Sequence, residues 1–309
     1  MTSLPQPVDR YLSRRAVDGP WHIAGSKRHD FRTVVVIPAL AESTALPATL
    51  AALAANPTEL LAETLVLLVI NHRPDSAATD IADNLLMLQQ LASGAFDHLG
   101  LQLAWIDAAS VDRELPAKDG GVGLARKVGF DLALKHLAWQ STEPLLVALD
   151  ADTLVRPDYL PALQRHFQHA TADAAVVPFC HQPADEPLQQ QAIVRYELFL
   201  RSHVLGLQLT GSPYAFHTVG STMACRAKAY VRAGGMNRRL AGEDFYFLQQ
   251  QAKTGGVVQL RGTVVYPSAR PSNRTPFGTG RSVAELMTGR DEAVLFYPAA
   301  CYQLPGSWL

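Results

Sequence analysis

The sequence has few cysteines and almost no net charge. Its 309 residues contain three cysteines, Cys180, Cys225 and Cys301, and no CxxC pair. This disfavours a disulfide framework and a cysteine-based zinc site, and it fits a reducing, cytoplasmic setting. The formal net charge of −1 argues against a nucleic-acid partner, because such partners usually require a clustered basic surface.

Long apolar runs are also lacking. No segment reaches the roughly 18–20 consecutive apolar residues that a membrane span requires, and the N-terminal stretch MTSLPQPVDRYLSRRAVDG has no apolar core of a signal peptide. We therefore expect a cytoplasmic protein. Peripheral association with the inner face of the membrane stays compatible with the sequence, because it needs no spanning segment.

Apolar segments nevertheless make up much of the chain, which is 48% hydrophobic and long enough to bury a sizeable core. Strand and helix patterns alternate from residue 33 to 170. The strand patterns are nearly continuous Val, Ile and Leu runs, which is typical of strands covered on both faces. The sequence therefore predicts an α/β fold with a mainly parallel sheet flanked by helices.

The predicted organisation has three parts. Residues 1–30 form a polar extension, 31–268 form the main domain, and 269–309 form a loop or lid and a tail packed on that domain. The predicted strands of the main domain include TVVVIPAL, TLVLLVIN, LQLAWID and PLLVALDAD. A further strand is predicted within 256–268, and Ser43 is a candidate cap for the helix that follows the first of these strands.

Two acids follow the last of those strands, in the stretch LLVALDADTLVRPDYL. Asp150 is expected to end the strand and Asp152 to lie just beyond it, at the carboxyl edge where parallel sheets bind ligands. Two carboxylates one residue apart can share a hard divalent cation such as Mg²⁺ or Mn²⁺, which keeps open positions for substrate phosphates. The pair therefore indicates a site for a metal and a phosphate-bearing ligand.

Two other interpretations of this stretch stay open. Asp152 and Thr153 can begin a turn into a helix that Asp158 caps, with no role in chemistry. Alternatively, Asp150 can be the nucleophile of a phosphohydrolase of the haloacid dehalogenase type. In that motif the threonine comes one residue later than Thr153 does here, so we rank the metal interpretation above it.

Four segments in order resemble the family-2 glycosyltransferases of the GT-A fold. These segments are VVVIPALAES, VINHRPDSAATD, ALDADTLVRPDYL and AGEDFYFLQQ. The resemblance implies a GT-A fold and a hexosyltransferase-like enzyme that uses Mn²⁺ or Mg²⁺. It would move a sugar from a nucleotide-diphosphate donor to the hydroxyl of a glycan, a lipid or a small molecule.

The resemblance also implies which residues bind the donor. Asp152 would hold the metal that bridges the diphosphate, with Asp150 near the ribose or sugar as a second candidate ligand. The chain departs from the family at NHRPDS, which replaces an Asp-x-Ser-x-Asp pattern, and at Lys127, which replaces an asparagine. The donor-binding candidates are Pro38, Ala39, Glu42, Asn71, Asp75, Arg126, Lys127, Asp150, Ala151 and Asp152.

On the acceptor side, the resemblance implies that Asp244 is the catalytic base. Sugar transfer needs such a group, because the attacking alcohol loses its proton. Gly220, Ser221 and Glu243 are the candidate acceptor contacts. A mechanism that inverts the anomeric centre follows, although acids in the first turn of a helix also favour the helix dipole without any catalytic role.

Histidine and arginine add further candidates. His217 is a candidate extra metal ligand, which would suit a retaining transferase instead, and core packing is its alternative role. Arg270, Arg274 and Arg281 lie in a Ser-, Gly- and Pro-containing tail and are predicted anion contacts of a lid, or else solubilising groups of an exposed loop. A catalytically silent protein that binds nucleotide sugars is a further alternative.

Overall fold

The computed structural model describes residues 4–140, 143–272, 274–275 and 277–306. Its strands are β1 (Ile23–Ala24), β2 (Thr33–Ala39), β3 (Thr64–Asn71), β4 (Gln102–Ala108), β5 (Leu145–Ala148), β6 (Leu154–Val155), β7 (Ala174–Val176), β8 (Met223–Arg226), β9 (Val257–Gln259) and β10 (Val265–Tyr266). Its α-helices are α1 (Gln6–Arg14), α2 (Leu46–Ala54), α3 (Thr58–Ala62), α4 (Ala78–Ala92), α5 (Val122–Ala133), α6 (Tyr159–His169), α7 (Pro187–Leu209), α8 (Ala227–Arg232), α9 (Glu243–Thr254), α10 (Thr279–Met287) and α11 (Ala299–Gly306).

Within the described residues, eight strands form one mixed sheet in the order β1-β4-β3-β2-β5-β8-β7-β9. Strands β4, β3, β2 and β5 are parallel to one another. Strand β8 is antiparallel to both of its neighbours, and β1 is antiparallel to β4. The predicted fold class, an α/β protein with a mainly parallel mixed sheet flanked by helices, is confirmed.

The order of the strands creates a switch point between β2 and β5. From β2 the chain runs outwards through β3 to β4, and it then returns to place β5 on the other side of β2. In open parallel sheets, the crevice outside the carboxyl ends of strands at such a point is the usual place for a ligand. Segments that follow β2 and β5 therefore border the expected site.

The core lies on both faces of this sheet, as the continuous apolar runs predict. Val34 and Val36 of β2 join the cluster on the α5 and α8 face, while Val35 and Ile37 join the cluster on the α2 and α6 face. Helix α5 approaches β2 closely at Gly129, where a Cβ atom would lie 2.3 Å from Cγ1 of Val36. A larger residue there would push α5 off the sheet.

Several local predictions need correction. Strand β5 ends at Ala148, so Asp150 lies beyond the strand and not at its last position. Ser43 does not cap α2, because its hydroxyl donates to Asp83 on α4. The segment 256–268 forms two short strands, β9 and β10, which belong to different sheets.

The ends of the described chain pack on the main body. Strand β1 pairs with β4 at the sheet edge, so part of the predicted extension 1–30 joins the sheet. Helix α1 packs against α8, and helix α10 of the predicted tail packs against α7. Among the described residues, none of the helices combines the length and the apolar character needed to span a bilayer.

Candidate active site

Three acidic side chains lie at the switch point. Glu42 follows β2 and is only 8% exposed, while Asp150 and Asp152 follow β5 and keep 34% and 21% of their side chains exposed. The turn before Glu42 has Ala41 at φ 51°, a conformation uncommon for a residue with a side chain. The N–H of Ala41 donates to Oδ1 of Asn84 at 2.9 Å, which holds this turn against α4.

Two arginines from the segment after β10 neutralise these acids. Arg270 contacts Oε1 of Glu42, and its Nε lies 3.1 Å from Oδ2 of Asp152. Arg274 places Nη1 2.6 Å from the same oxygen of Glu42 and donates to the carbonyl of Ala41 at 3.3 Å. The guanidiniums of Arg270 and Arg274 therefore lie across the mouth of the switch point.

A third arginine ties the acids after β5 to the start of α9. Arg126 of α5 is 2% exposed, and its guanidinium donates to Asp150 through Nη2 and to Glu243 through Nη1. Glu243 is itself buried, and the next residue is Asp244. This planar, permanently charged fork therefore brings Asp150 and the acids that open α9 into one site.

Two glycines allow close approaches around this arginine, one to its guanidinium and one between α5 and the loop before α9. A Cβ atom on Gly220 would lie 2.3 Å from Nη2 of Arg126, and one on Gly123 would lie 2.4 Å from the carbonyl oxygen of Arg239. The first position allows the backbone before β8 to lie against the guanidinium. The second allows α5 to lie against the loop before α9. Gly220 was predicted as an acceptor contact. Its lack of a side chain leaves room for the guanidinium of Arg126.

Burial and neighbouring charges raise the pKa of two of the acids. Burial raises the pKa of Asp152 from 3.8 to about 6; Asp150 and Glu42 add to that rise, and Arg270 opposes it. Burial also raises the pKa of Asp244, with Arg126 opposing the rise and Asp150 adding to it. The charges of Arg126 and Asp150 thus reach the carboxylate of Asp244. Oδ1 of Asp244 also accepts the N–H of Phe245 at 2.7 Å.

The charges of this site fit a divalent cation. Five carboxylates, of residues 42, 150, 152, 243 and 244, stand against three guanidiniums, of residues 126, 270 and 274. Among the described residues, Oε2 of Glu42 is buried without a hydrogen-bond partner, and such an oxygen suits a hard cation. The described residues contain no cluster of three or more His, Cys, Asp and Glu suited to a metal.

Lys127 contacts residues outside this set of acids, and its predicted donor contact stays a prediction. Its Nζ lies 2.8 Å from the hydroxyl of Tyr11 and 3.0 Å from Oδ2 of Asp131. Successive helix residues point about 100° apart, so Arg126 and Lys127 face different neighbours. Lys127 is a buried structural residue that links α5 to α1.

The two predicted contacts with the base differ in their exposure to solvent. Asn71 is buried, and its amide donates to the carbonyls of Val69 at 2.8 Å and Ala39 at 3.2 Å, so it holds the ends of β2 and β3 together. Asp75 is exposed and pairs with Arg73 at 3.0 Å. The amide of Asn71 is thus occupied within the protein, whereas Asp75 faces solvent.

Three further donor candidates lie at the end of β2 and just after β5. Pro38 and Ala39 are the last two residues of β2, and the side chain of Ala39 is buried. Ala151 is also buried, and its carbonyl accepts the hydroxyl of Thr49 at 2.8 Å. These residues set the position of the loops that carry Glu42 and Asp152.

His217 lies in an aromatic environment beside Phe179. Its ring meets Phe179 edge-on at 5.1 Å between centroids, and its Nδ1 is buried without a partner. Burial and then Arg201 lower its pKa to about 4, and the other charges that act on it come from α7, at Glu197 and His203. These surroundings favour the core-packing alternative, and the role of His217 as an extra metal ligand stays a prediction.

Two other predicted contacts, Ser221 and Arg281, lie in different surroundings. Ser221 is fully buried, with an Oγ that has no partner, so it supports the turn before β8 and does not present its hydroxyl to solvent. Arg281 lies on α10, where its guanidinium is 2.7 Å from Oε1 of Glu285. Of the three tail arginines, the structure brings Arg270 and Arg274 to the acids of the switch point.

Tyr196 was not predicted as a site residue, although the charge of Asp244 reaches it. Tyr196 of α7 is hydrogen-bonded to Thr279, and the charge of Asp244 contributes to a raised pKa whose main cause is burial. Asn84 of α4 was missed as well, although it holds the turn before Glu42. No motif marks either residue, because both reach the site only through the packing of their helices.

The fold and the site thus define an α/β protein with an acidic, arginine-lined site at the switch point of its sheet. No family model matches this chain, and no curated protein matches it. Solved structures give weak similarities. The chain is similar to "S. aureus TarS 1-349" at 14% identity and a TM-score of 0.47, over 77% of this chain and 60% of that one.

Two other solved structures have comparable similarity. The first is "S. aureus TarS 1-349 in complex with UDP-GlcNAc", at 13% identity and a TM-score of 0.49, over 88% of this chain and 69% of that one. The second is a mycobacterial protein, at 12% identity and a TM-score of 0.45, over 94% and 79%. The chain therefore spans about two thirds of the TarS portion, and its function has to be argued from its own site.

Proposed function

We propose that this chain is a metal-dependent glycosyltransferase that moves a sugar from a nucleotide-diphosphate donor to an acceptor hydroxyl, with inversion by a single displacement. The observation that carries the proposal is the double contact of Arg126 with Asp150 and Glu243. It supports the proposal because Arg126 links Asp150, which would bind a cation, to the start of α9, where Asp244 would take a proton. A group transfer with an anionic leaving group needs both kinds of acid.

On the donor side, the chain supplies charges of both signs. Arg270 and Arg274 present guanidiniums that suit phosphate oxygens. Asp152 and Asp150 would hold Mn²⁺ or Mg²⁺, which supplies Lewis-acid stabilisation of the departing diphosphate. Binding of a diphosphate would draw Arg270 away from Glu42, so the segment that carries it is positioned to close over the donor.

On the acceptor side, Asp244 would take the proton of the attacking hydroxyl. Its raised pKa makes it a stronger base than an exposed aspartate. Exposed apolar rings lie in the same region: Phe245 is adjacent, and a Cβ atom on Gly242 would lie 3.1 Å from Phe277. Such rings offer flat faces to an acceptor with an apolar surface, such as a sugar ring.

The test is a thermal-shift panel of nucleotide sugars with and without Mn²⁺, and UDP-GlcNAc is a suitable first member. We expect stabilisation by at least one nucleotide sugar, greater with Mn²⁺ than without it, and loss of the metal-dependent part in Asp152→Asn. The matched control is Asp97→Asn, at an exposed acid outside the site. Stabilisation by no nucleotide sugar, or release of inorganic phosphate from simple esters, would count against a transferase.

The stereochemistry needs its own measurement. Once a donor is found, NMR of the first-formed product gives the anomeric configuration. Inversion is expected if Asp244 acts as the base of a single displacement. Retention would contradict that role while leaving the donor class intact.

A further inference from the structure

A cavity lies between α1 and α8 and shares no lining residue with the candidate active site. Its volume is about 620 Å³, which falls within the range of small-molecule sites, roughly 300–1,000 Å³. Pro5, Val8 and Val231 contribute to its mostly apolar lining. The space therefore suits the apolar part of a ligand.

The lining of this cavity also contains a cluster of cations. Arg10, Arg14 and Arg15 come from the region of α1, and Lys228 comes from α8. Within the part of the chain that the structure describes, none of these four forms an ion pair, whereas the neighbouring Arg232 pairs with Asp173. Arg10 and Arg14 lie one turn apart on α1, where like charges repel one another, and an anion bound beside them would relieve that repulsion.

The walls of the cavity are held in place without a ligand. The hydroxyl of Tyr11 donates to Oδ1 of Asp131 at 2.7 Å, and the N–H of Val17 donates to Oδ2 at 2.8 Å. Lys127 contacts both Tyr11 and Asp131. These buried bonds fix α1 against α5, so the cavity is pre-formed and a ligand would not have to order the helix.

We propose that this cavity binds an anionic amphiphile. The apolar body would lie between Pro5, Val8 and Val231, and a phosphate or another compact anionic group would lie among Arg10, Arg14, Arg15 and Lys228. Arginine forks match phosphate oxygens in pairs, and this gives the anionic end a defined position. The same chemistry can come from a lipid of an anionic bilayer or from a free phosphorylated molecule.

The first experiment is calorimetric titration of the full chain with octyl phosphate, inorganic phosphate and octyl glucoside. Octyl phosphate below its micellar concentration should bind at one site, at least about tenfold more tightly than either of the others, because only it uses both parts of the cavity. No saturable binding, or an affinity equal to that of inorganic phosphate, overturns the proposal.

Charge-reversal variants locate the anionic end. Arg10→Glu with Arg14→Glu should weaken octyl phosphate binding at least about tenfold. The matched control is Lys135→Glu with Arg261→Glu, which changes the net charge equally at two exposed positions outside the cavity. An equal loss in the control would mean that only long-range charge matters, and it would overturn the site.

A third variant and a vesicle assay complete the test. Val231→Phe fills the cavity without changing charge, so it should weaken binding of octyl phosphate more than binding of inorganic phosphate. Thermal unfolding shows whether the Val231→Phe protein folds. If it does not fold, the charge-reversal variants decide the test.

Sedimentation with phosphatidylcholine vesicles, with or without phosphatidylglycerol, distinguishes the two sources of the ligand. Binding to the anionic vesicles that depends on Arg10 and Arg14 identifies a bilayer lipid, and binding of octyl phosphate alone identifies a free ligand.

Discussion

Nε of Arg270 lies 3.1 Å from Oδ2 of Asp152, across the crevice between the carboxyl ends of β2 and β5. The same guanidinium contacts Glu42, which follows the other strand. An arginine from the C-terminal part of the chain thus occupies the position at which a cation would meet Asp152. Cation binding and movement of Arg270 are therefore expected to be coupled.

Arg270→Ala should strengthen Mn²⁺ binding in the absence of nucleotide. The variant removes the positive charge of residue 270, which competes with a cation at Glu42 and Asp152. We therefore expect the affinity for Mn²⁺ to be about tenfold higher. Electron paramagnetic resonance of free Mn²⁺ measures this directly. Arg261→Ala is the control, because that arginine is exposed and lies outside the site. Unchanged or weaker Mn²⁺ binding in Arg270→Ala would contradict the competition.

Asp152 should make the free energy of unfolding fall as the pH rises from about 4 to 6. Its pKa is raised from 3.8 to about 6 in the folded protein, so over this range the folded state binds more protons than the unfolded state. Above pH 6 the ionised group then lowers the free energy of unfolding by about 3 kcal/mol. Asp152→Asn should remove this cost and flatten the dependence.

Urea denaturation at pH 4.5 and pH 7.5 measures this effect. The difference in the free energy of unfolding between wild type and Asp152→Asn should be larger at pH 7.5, in favour of the variant. A variant that is less stable than wild type at pH 7.5 would show that the Arg270 contact outweighs the burial of the charge.

Asp244→Asn should lower kcat by a factor on the order of 10² to 10⁴, as expected for the loss of a general base. Donor binding should stay nearly unchanged, because Asn has the same shape and the predicted cation ligands lie at Asp150 and Asp152. Steady-state kinetics and donor titration measure the two effects. Full activity in this variant would remove Asp244 from the mechanism.

Arg126→Ala should destabilise the protein by about 3–5 kcal/mol, because it leaves buried Glu243 without its counter-charge. Arg126→Ala with Glu243→Ala should cost less than the sum of the two single variants. Arg32→Ala is the matched control, since its pair with Glu63 is exposed and should contribute about 0–1 kcal/mol. Additive costs for residues 126 and 243 would contradict the coupling.

Lys127→Met should lower stability without changing donor affinity. Its ammonium is buried between Tyr11 and Asp131, and removing one partner of a buried ion pair typically costs about 3–5 kcal/mol. Chemical denaturation and donor titration separate the two effects. A large loss of donor affinity at unchanged stability would support Lys127 as a donor contact.

Much of the central fold could be predicted from the sequence. The bounds of β2, β3 and β4 agree with their apolar runs to about one residue, because a buried parallel strand needs an unbroken run of apolar side chains. Prediction was weaker where strands are short. One apolar segment, 256–268, became β9 and β10 in different sheets, because their pairing depends on partners far away in the sequence.

The candidate site could be predicted in part. Asp150 and Asp152 follow a buried strand, so their place at the edge of the sheet was expected. The family resemblance on which the donor and acceptor roles rest stays a prediction, as do the metal and the division into residues 1–30, 31–268 and 269–309. Tyr196 and Asn84 could not be found, because their contacts arise from the packing of α7 and α4.

The sequence by itself determined that the chain forms a covered, mainly parallel sheet with acids at the end of a central strand, since these features depend on local apolar patterning. Only the tertiary structure decided which neighbours those acids have. Arg126 and Lys127 are adjacent in sequence, yet one reaches Asp150 and the other Asp131, because the packing of α5 sets the direction of each side chain. Arg270 meets Glu42 across 228 residues, through a chain path that no local pattern specifies.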